Sequence, residues 1–440
     1  MIRINKSQVW FVLSSIFLLI SFHYVYAEVV SPWQKGTGYT YRMPTPWMFT
    51  ACYVLCIAPA FIMPLRTQKP SYIMLTLIYM SAYIPTVFML VFTGRLSHYT
   101  ALETSFTLFV GLLICIGFSL LNPIKFHQVR RWTITGFIIF LVIGILAYII
   151  LLIATYGAHI EFVSFAERYD QRLFARTLSS PLLGYMTGIT LYVLAPSLLA
   201  YSLLSKRYIL LPVSIAPFIV HYGTSAARAD ILSVALLVGV FWITGKHPRW
   251  SGHLILAAFA VINILTVYVY RGDKQIGYEL AELTSRRTMA NSGWQMITYH
   301  EFFSNNPLTY FSHYKIINWL IEYPYDLPLA RLIGQYSGGS ETNSNAHVWA
   351  DGFAGAGLAG ILLESIALGL VLWIIDSTAR PFDMRVSATM VALYAVYLSN
   401  LGLGSALVGG GMWFMVLVFL YAPVHITVPK QRLAVSSGAL

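Results

Sequence analysis

Apolar residues in this chain fall into long runs separated by short polar segments. The runs lie near 8–27, 47–65, 71–92, 102–122, 133–156, 184–204, 208–222, 229–245, 251–270, 352–375, 386–402 and 407–426, each 15 to 24 residues long. A bilayer core takes about 20 apolar residues per helix. Backbone groups in lipid must be paired within their own segment, so the runs are predicted to be helices. The fold class is therefore an all-α polytopic membrane protein of about 12 transmembrane helices, with 1–440 forming one integral membrane domain. Composition agrees: 58% of residues are hydrophobic and 10% charged, where a soluble domain carries about a quarter charged residues.

Charge orients the spans. With the N-terminus in the cytoplasm, the inner segments hold fifteen of the 28 Lys and Arg residues, among them Lys69, Lys125, Lys206, Arg207, Lys246, Arg249, Arg380 and Arg385. Their only acids are Asp376 and Asp383. This bias places both termini in the cytoplasm. The net charge of +11 is mostly this topology signal and does not point to nucleic acid. The opening "MIRINKSQVWFVLSSIFLLISFHYVYAEVV" ends its apolar run on Val25-Tyr26-Ala27, like a signal-peptidase site. The run is long for a signal peptide, so it is read as a first helix. Cys52, Cys56 and Cys115 fall inside spans and read as small core residues. No Asp-x-Asp pair, HExxH, P-loop or nucleotide-binding glycine motif is present, so neither a metal nor a cofactor is expected.

Two outer segments are long enough to carry a site: 157–183 and 271–350. The first contains Arg168, Arg172 and Arg176, four residues apart and so one stripe on a helix. Guanidinium forks suit phosphate oxygens; an interfacial helix touching lipid phosphates has the same pattern. Between spans seven and eight, "HYGTSAARADI" puts Arg228 close to the hydrocarbon, either snorkelling or paired with Asp230, or lining an outward cavity where it holds an anion. The larger segment holds Arg286 and Arg287, then many aromatics of the kind on which sugars stack. It closes on "SNAHVWADGFAGAGLAG", where His347 and Asp351 are four apart. A neutral imidazole beside a carboxylate can act as a general base; a structural His fits the pattern too. Gly352, Gly355, Gly357 and Gly360 permit close approach of a helix or a substrate.

The order of these features resembles the bacterial O-antigen polymerases (the Wzy family) and, more distantly, the O-antigen ligases. The resemblance rests on Asn343, Asn345, His347, Trp349 and Phe353 followed by Gly357-Leu358-Ala359-Gly360, and on "GTSAARAD" around Arg228. The latter stretches the family's Gly-[ST]-x-Arg-[GA], and the family's Arg-x10-Gly loop pattern is not kept. The resemblance implies a GT-C-like architecture in the bacterial inner membrane with a periplasmic active site. It implies transfer of a growing glycan from undecaprenyl pyrophosphate to a new lipid-linked repeat unit. His347 and Asp351 would then be catalytic. Arg228, Arg168, Arg172, Arg176, Arg286, Arg287, Asn345 and Trp349 would bind substrate, with membrane lipids and a chain-length regulator protein as partners. The donor is already activated, so no nucleotide is needed. The alternatives are a ligase, using the same donor, and a lipid-linked oligosaccharide flippase or other transporter. Transporters favour internal repeats and polar residues at mid-membrane; no repeat is visible here, and Glu364 is the one clear charge deep in a span.

Overall fold

The computed structural model describes residues 6–65, 69–126, 132–162, 168–339 and 343–423. The described residues are largely helical and contain no strand. Among them, nine helices are long and apolar enough to cross a membrane: Lys6–Gln34, Pro70–Phe92, His98–Leu120, Ile134–Tyr156, Pro181–Ser205, Tyr208–Ser225, Ala229–Lys246, Pro248–Gly272 and Val348–Ala379. The other three expected spans coincide with shorter apolar helices, Pro46–Phe61, Met384–Tyr397 and Met412–Tyr421. At 1.5 Å per residue, the 14 residues of Met384–Tyr397 reach about 21 Å, short of a hydrocarbon core about 30 Å thick. The breaks follow the sequence: Ser399 to Gly402 stops the second of these helices, and Gly409 to Gly411 precedes the third.

The Pro70–Phe92 helix is the axis of the bundle, and its whole length is buried. Its sequence is apolar all round, as a central helix must be. Thr76 and Ser81 donate within the helix, to the Tyr72 and Leu77 carbonyls, both at 2.8 Å, and Tyr79 and Tyr83 donate to the carbonyls of Cys56 and Leu55 on a neighbour, also at 2.8 Å. Contacts between segments fix the two ends. At one end the Arg42 N–H donates to the Phe92 carbonyl at 2.7 Å, Glu161 N–H to Gly223 O at 2.9 Å, and Trp33 Nε1 to the Tyr270 hydroxyl at 3.0 Å. At the other, Lys69 donates to the carbonyls of Ser119 and Leu121 at 2.6 Å, and Ser71 Oγ to Asp376 at 2.7 Å. The segments read as outer loops thus gather at the first end, and the cation-rich ones at the second.

The 271–350 segment does fold, and part of it is core. Asp273 caps the helix Lys274–Ala281 through the Ile276 N–H, at 3.0 Å. A π-helical stretch, Glu282–Ala290, leads into Asn291–Phe303. In that last helix Ser292, Gly293 and every residue from Gln295 to His300 are buried. A Cβ on Gly293 would stand 2.7 Å from the Cβ of Met89, so the helix lies directly on the central one.

The apolar run at 352–375 is not one straight span. Val348–Ala379 is broken at Ala356 (φ −152°) and Gly357 (φ +61°, ψ −142°). Beyond the break the chain folds back on itself. A Cβ on Gly352 would lie 2.6 Å from the Gly360 carbonyl oxygen, and Trp349 Nε1 donates to Ser365 Oγ at 2.9 Å. In a continuous helix residues 349 and 365 would be about 24 Å apart along the axis. The result is a helical hairpin: a short limb over 348–355 lies antiparallel to a long limb over 358–379. The free carbonyls ending the short limb are capped by a neighbouring segment, Thr309 N–H on Ala354 O at 2.9 Å and Tyr310 N–H on Gly355 O at 2.8 Å.

Candidate functional site

The hairpin carries the polar residues of the 343–351 stretch into the bundle. Asn343 and Asn345 remain exposed, whereas Ser344 and everything from Ala346 to Phe353 is buried. His347 is the N-cap of the short limb, with an extended backbone (φ −77°, ψ 168°), and its Nδ1 accepts from the Trp349 N–H at 3.3 Å. An accepting Nδ1 places the proton of the neutral ring on Nε2. That Nε2 is fully buried and meets no hydrogen-bond partner. In this arrangement the ring offers a donor rather than a base.

Asp351 does not hydrogen-bond to His347, although the two are one turn apart. Its carboxylate accepts a short hydrogen bond from the Tyr314 hydroxyl, and His313 Nε2 lies 3.3 Å away. Glu364, from the long limb, is buried beside the turn that carries Asp351: a Cβ on Gly352 would stand 2.9 Å from its Cγ. A Cβ on Gly402 would stand 2.7 Å from both Asp351 oxygens, so backbone closes the remaining side. Burial first, and the Asp351 carboxylate second, push the Tyr314 hydroxyl far above the usual tyrosine range. Tyr314 is therefore a fixed donor, and its own oxygen accepts from the Gly404 N–H at 3.2 Å.

Arg286 and Arg287 stand on the π-helical stretch, and both meet Glu282. Arg286 grips it with two nitrogens, Arg287 Nε lies 3.3 Å from Oε1, and Glu282 is 2% exposed. Arg286 also donates to the Tyr39 hydroxyl at 3.2 Å, which donates in turn to Asn291 Oδ1 at 3.3 Å; Asn291 Nδ2 donates to Asn400 Oδ1 at 2.6 Å. Asn400 lies between Leu398, whose carbonyl takes the Val348 N–H at 3.1 Å, and Gly402. A polar layer thus runs by hydrogen bonds from Arg287 to Asn400, two residues before the Gly402 backbone that packs on Asp351.

The remaining arginines occupy a second place. Arg168, Arg172 and Arg176 do share one helix, Arg168–Leu178; the Arg168 side chain lies outside the described residues. Arg172 donates to the carbonyls of Ser225 and Ala226 at 3.3 and 3.0 Å, capping the Tyr208–Ser225 helix where Ala226 turns left-handed (φ 51°). Arg176 is exposed. Arg228 is half-buried at the start of Ala229–Lys246, and Asp230 beside it is held by His221 Nδ1 at 2.7 Å. Trp349 is fully buried, its ring edge-on to Tyr83 at 6.2 Å. Tyr314, His313, Glu282, Asn291 and Asn400 enter the site from distant sequence, and only the aromatic density around residue 314 hinted at them.

Among the described residues no group of three or more His, Cys, Asp or Glu side chains is placed to hold a metal ion. No family model, curated protein or solved structure matches this chain.

Proposed function

We propose that this chain is a membrane-embedded glycosyltransferase of the O-antigen polymerase kind, which lengthens undecaprenyl-pyrophosphate-linked glycans at the periplasmic face of the bacterial inner membrane. The observation that carries the reading is the polar layer. Within it the stretch bearing the resemblance, 343–360, and the Arg286–Arg287 pair lie at one end of an apolar bundle. In the transfer, an acceptor hydroxyl attacks the anomeric carbon of the donor glycan. The bond from that carbon to the pyrophosphate oxygen breaks, and the pyrophosphate leaves with the electron pair. Arginines compensate the charge developing there, and a base takes the hydroxyl proton. Just beyond Tyr314, Ile316, Trp319 and Leu320 are 68%, 85% and 85% exposed, an apolar platform suited to a polyprenyl chain or to sugar faces.

The broken helix with two buried acids favours a second reading, transport of the lipid-linked unit, because discontinuous helices at mid-membrane are a transporter feature. The decisive experiment is the lipopolysaccharide ladder of a deletion strain. Single-repeat O-antigen supports a polymerase. Bare core with accumulated lipid-linked polymer indicates a ligase, and loss of all periplasmic repeat units indicates a transporter.

A further inference from the structure

We propose that His221 is the general base of the glycan transfer, oriented by Asp230, and that its Nε2 takes the proton of the attacking acceptor hydroxyl. The inference rests on the polymerase reading above, and it fills the one role that reading leaves without a residue.

His221 and His347 carry the ring proton on opposite nitrogens. His347 Nδ1 accepts, so its Nε2 bears the hydrogen and has no lone pair to offer. His221 Nδ1 lies 2.7 Å from Asp230 Oδ2. An ionised carboxylate only accepts, so this Nδ1 donates, and the neutral ring keeps its lone pair on Nε2. Nothing among the described residues bonds that nitrogen, and the bundle does not seal it in: the His221 side chain is 21% exposed. A ring held from behind by a carboxylate, with an open lone pair in front, is the arrangement of a general base, and the carboxylate stabilises the imidazolium that forms.

The corner between two helices fixes this pair. His221 stands in the last turns of Tyr208–Ser225 and Asp230 in the first turn of Ala229–Lys246, with Ala226 left-handed between them. The hydroxyls of Thr224 and Ser225 both donate to the His221 carbonyl, at 2.9 and 2.8 Å, and Ser225 Oγ accepts from the Ala227 N–H at 3.2 Å. Arg172 holds the Ser225 and Ala226 carbonyls from outside. The ring is thus placed before a substrate arrives. The outer segment joins the corner where the Glu161 N–H donates to the Gly223 carbonyl, at 2.9 Å. Next to it Phe162 packs on Tyr222, ring centroids 5.7 Å apart, and is 66% exposed, an aromatic face on which a sugar can stack. In the step, Nε2 takes the hydroxyl proton while the acceptor oxygen bonds to the anomeric carbon. The bond from that carbon to the pyrophosphate oxygen breaks, its electron pair leaves with the pyrophosphate, and the imidazolium then gives its proton to water.

The test uses the purified full chain in lipid nanodiscs and lipid-linked repeat units extracted from the deletion strain. A Gln at 221 can still donate to Asp230 and pin the corner, but it cannot take a proton. His221→Gln is therefore expected to accumulate normally and to lengthen chains about 10²–10⁴-fold more slowly, as slowly as His221→Ala, with added imidazole restoring part of the rate of the Ala variant. Asp230→Asn should fall with them, because its amide can donate to Nδ1 and move the ring proton to Nε2. Lengthening at the wild-type rate by His221→Gln would overturn the proposal and leave the polymerase reading standing; a wild type that lengthens nothing takes both down. If the Gln variant does not accumulate, the wild type decides. Diethyl pyrocarbonate should modify His221, read by peptide mass, and the repeat units should slow that modification. A His221 that stays unmodified, or that the repeat units leave unprotected, also overturns it.

Discussion

The hairpin at residues 348–379 makes a prediction whose sign distinguishes it from a straight helix. In a straight helix, replacing an interior Gly by Ala stabilises by about 0.5–1 kcal/mol, because Gly loses more backbone freedom on folding. The hairpin reverses this at two positions for two reasons. Gly357 has φ +61° and ψ −142°, and a methyl added there would meet nothing nearer than Leu308 Cδ1, at 4.0 Å. Gly357→Ala therefore reports backbone strain alone, about 1–3 kcal/mol. Gly360 has ordinary helical geometry, but a methyl there would stand 2.7 Å from the carbonyl carbon of Gly352 and nearer still to its oxygen. The limbs would have to part by roughly 1 Å to restore ordinary contact distances. Overpacking of this kind costs about 1–3 kcal/mol. Parting the limbs also strains the buried Trp349–Ser365 hydrogen bond, and a buried polar group left unpaired costs about 1–3 kcal/mol more. Gly360→Ala is thus expected to lose about 2–6 kcal/mol, the larger of the two effects. Gly117→Ala and Gly239→Ala, where a methyl meets nothing within 4 Å, serve as straight-helix controls and should be neutral or stabilising. Reversible unfolding in mixed micelles measures all four. Equal or increased stability of both Gly357→Ala and Gly360→Ala would refute the hairpin.

Three further outcomes are expected. Arg228→Ala should lower chain lengthening roughly ten- to a hundredfold, the loss of one charge-assisted hydrogen bond of about 1.5–3 kcal/mol, and Arg228→Lys should be impaired less; unchanged ladders from both variants would remove Arg228 from the site. His347→Ala should reduce the amount of protein in the membrane, since the ring caps a buried helix at a typical worth of about 1 kcal/mol; normal abundance with lost turnover would instead mark His347 as the base. Polymerisation by purified protein should persist in EDTA, and loss of activity that magnesium or manganese restores would show that arginines do not act alone.

The spans were legible because bilayer thickness imposes a run length, and composition reports that length directly. Boundaries within a few residues followed for Pro70–Phe92, Ile134–Tyr156 and Pro248–Gly272. The hairpin was not legible. Its two limbs form one unbroken apolar run, and Gly357-Leu358-Ala359-Gly360 reads equally well as a helix-packing motif. The site was legible in part. Asp351 lies in a cluster of ionisable groups, but reasoning from four-residue spacing joined it to His347. That spacing places two residues on one face only when both are inside the helix. His347 is the cap, with an extended backbone that turns its ring back to the Trp349 N–H. The partners Asp351 does have lie 37 and 38 residues earlier, in a segment whose approach depends on tertiary structure.

The arginines show the same division between type and placement. By residue type, Arg172, Arg286 and Arg287 are equivalent anion binders. In the fold they do different work. Arg172 contacts the carbonyls that end a helix, where a cation is favoured by the helix dipole. Arg286 is 17% exposed, grips Glu282 with two nitrogens and orients Tyr39, so its task is to hold the π-helical stretch against the chain around residue 39. Arg287 shares the same carboxylate through one nitrogen and is 40% exposed. One acid facing two guanidinium groups leaves an excess positive charge, and the excess is accessible only on the Arg287 side. An incoming pyrophosphate could be met there without breaking the buried pair and without repelling an unshielded second anion, because Arg286 already neutralises Glu282. On the proposed reading, the pair is a fixed cation with a structural root, and it would give a leaving group what charge stabilisation requires: a positive charge held in place before the reaction and not reorganised during it.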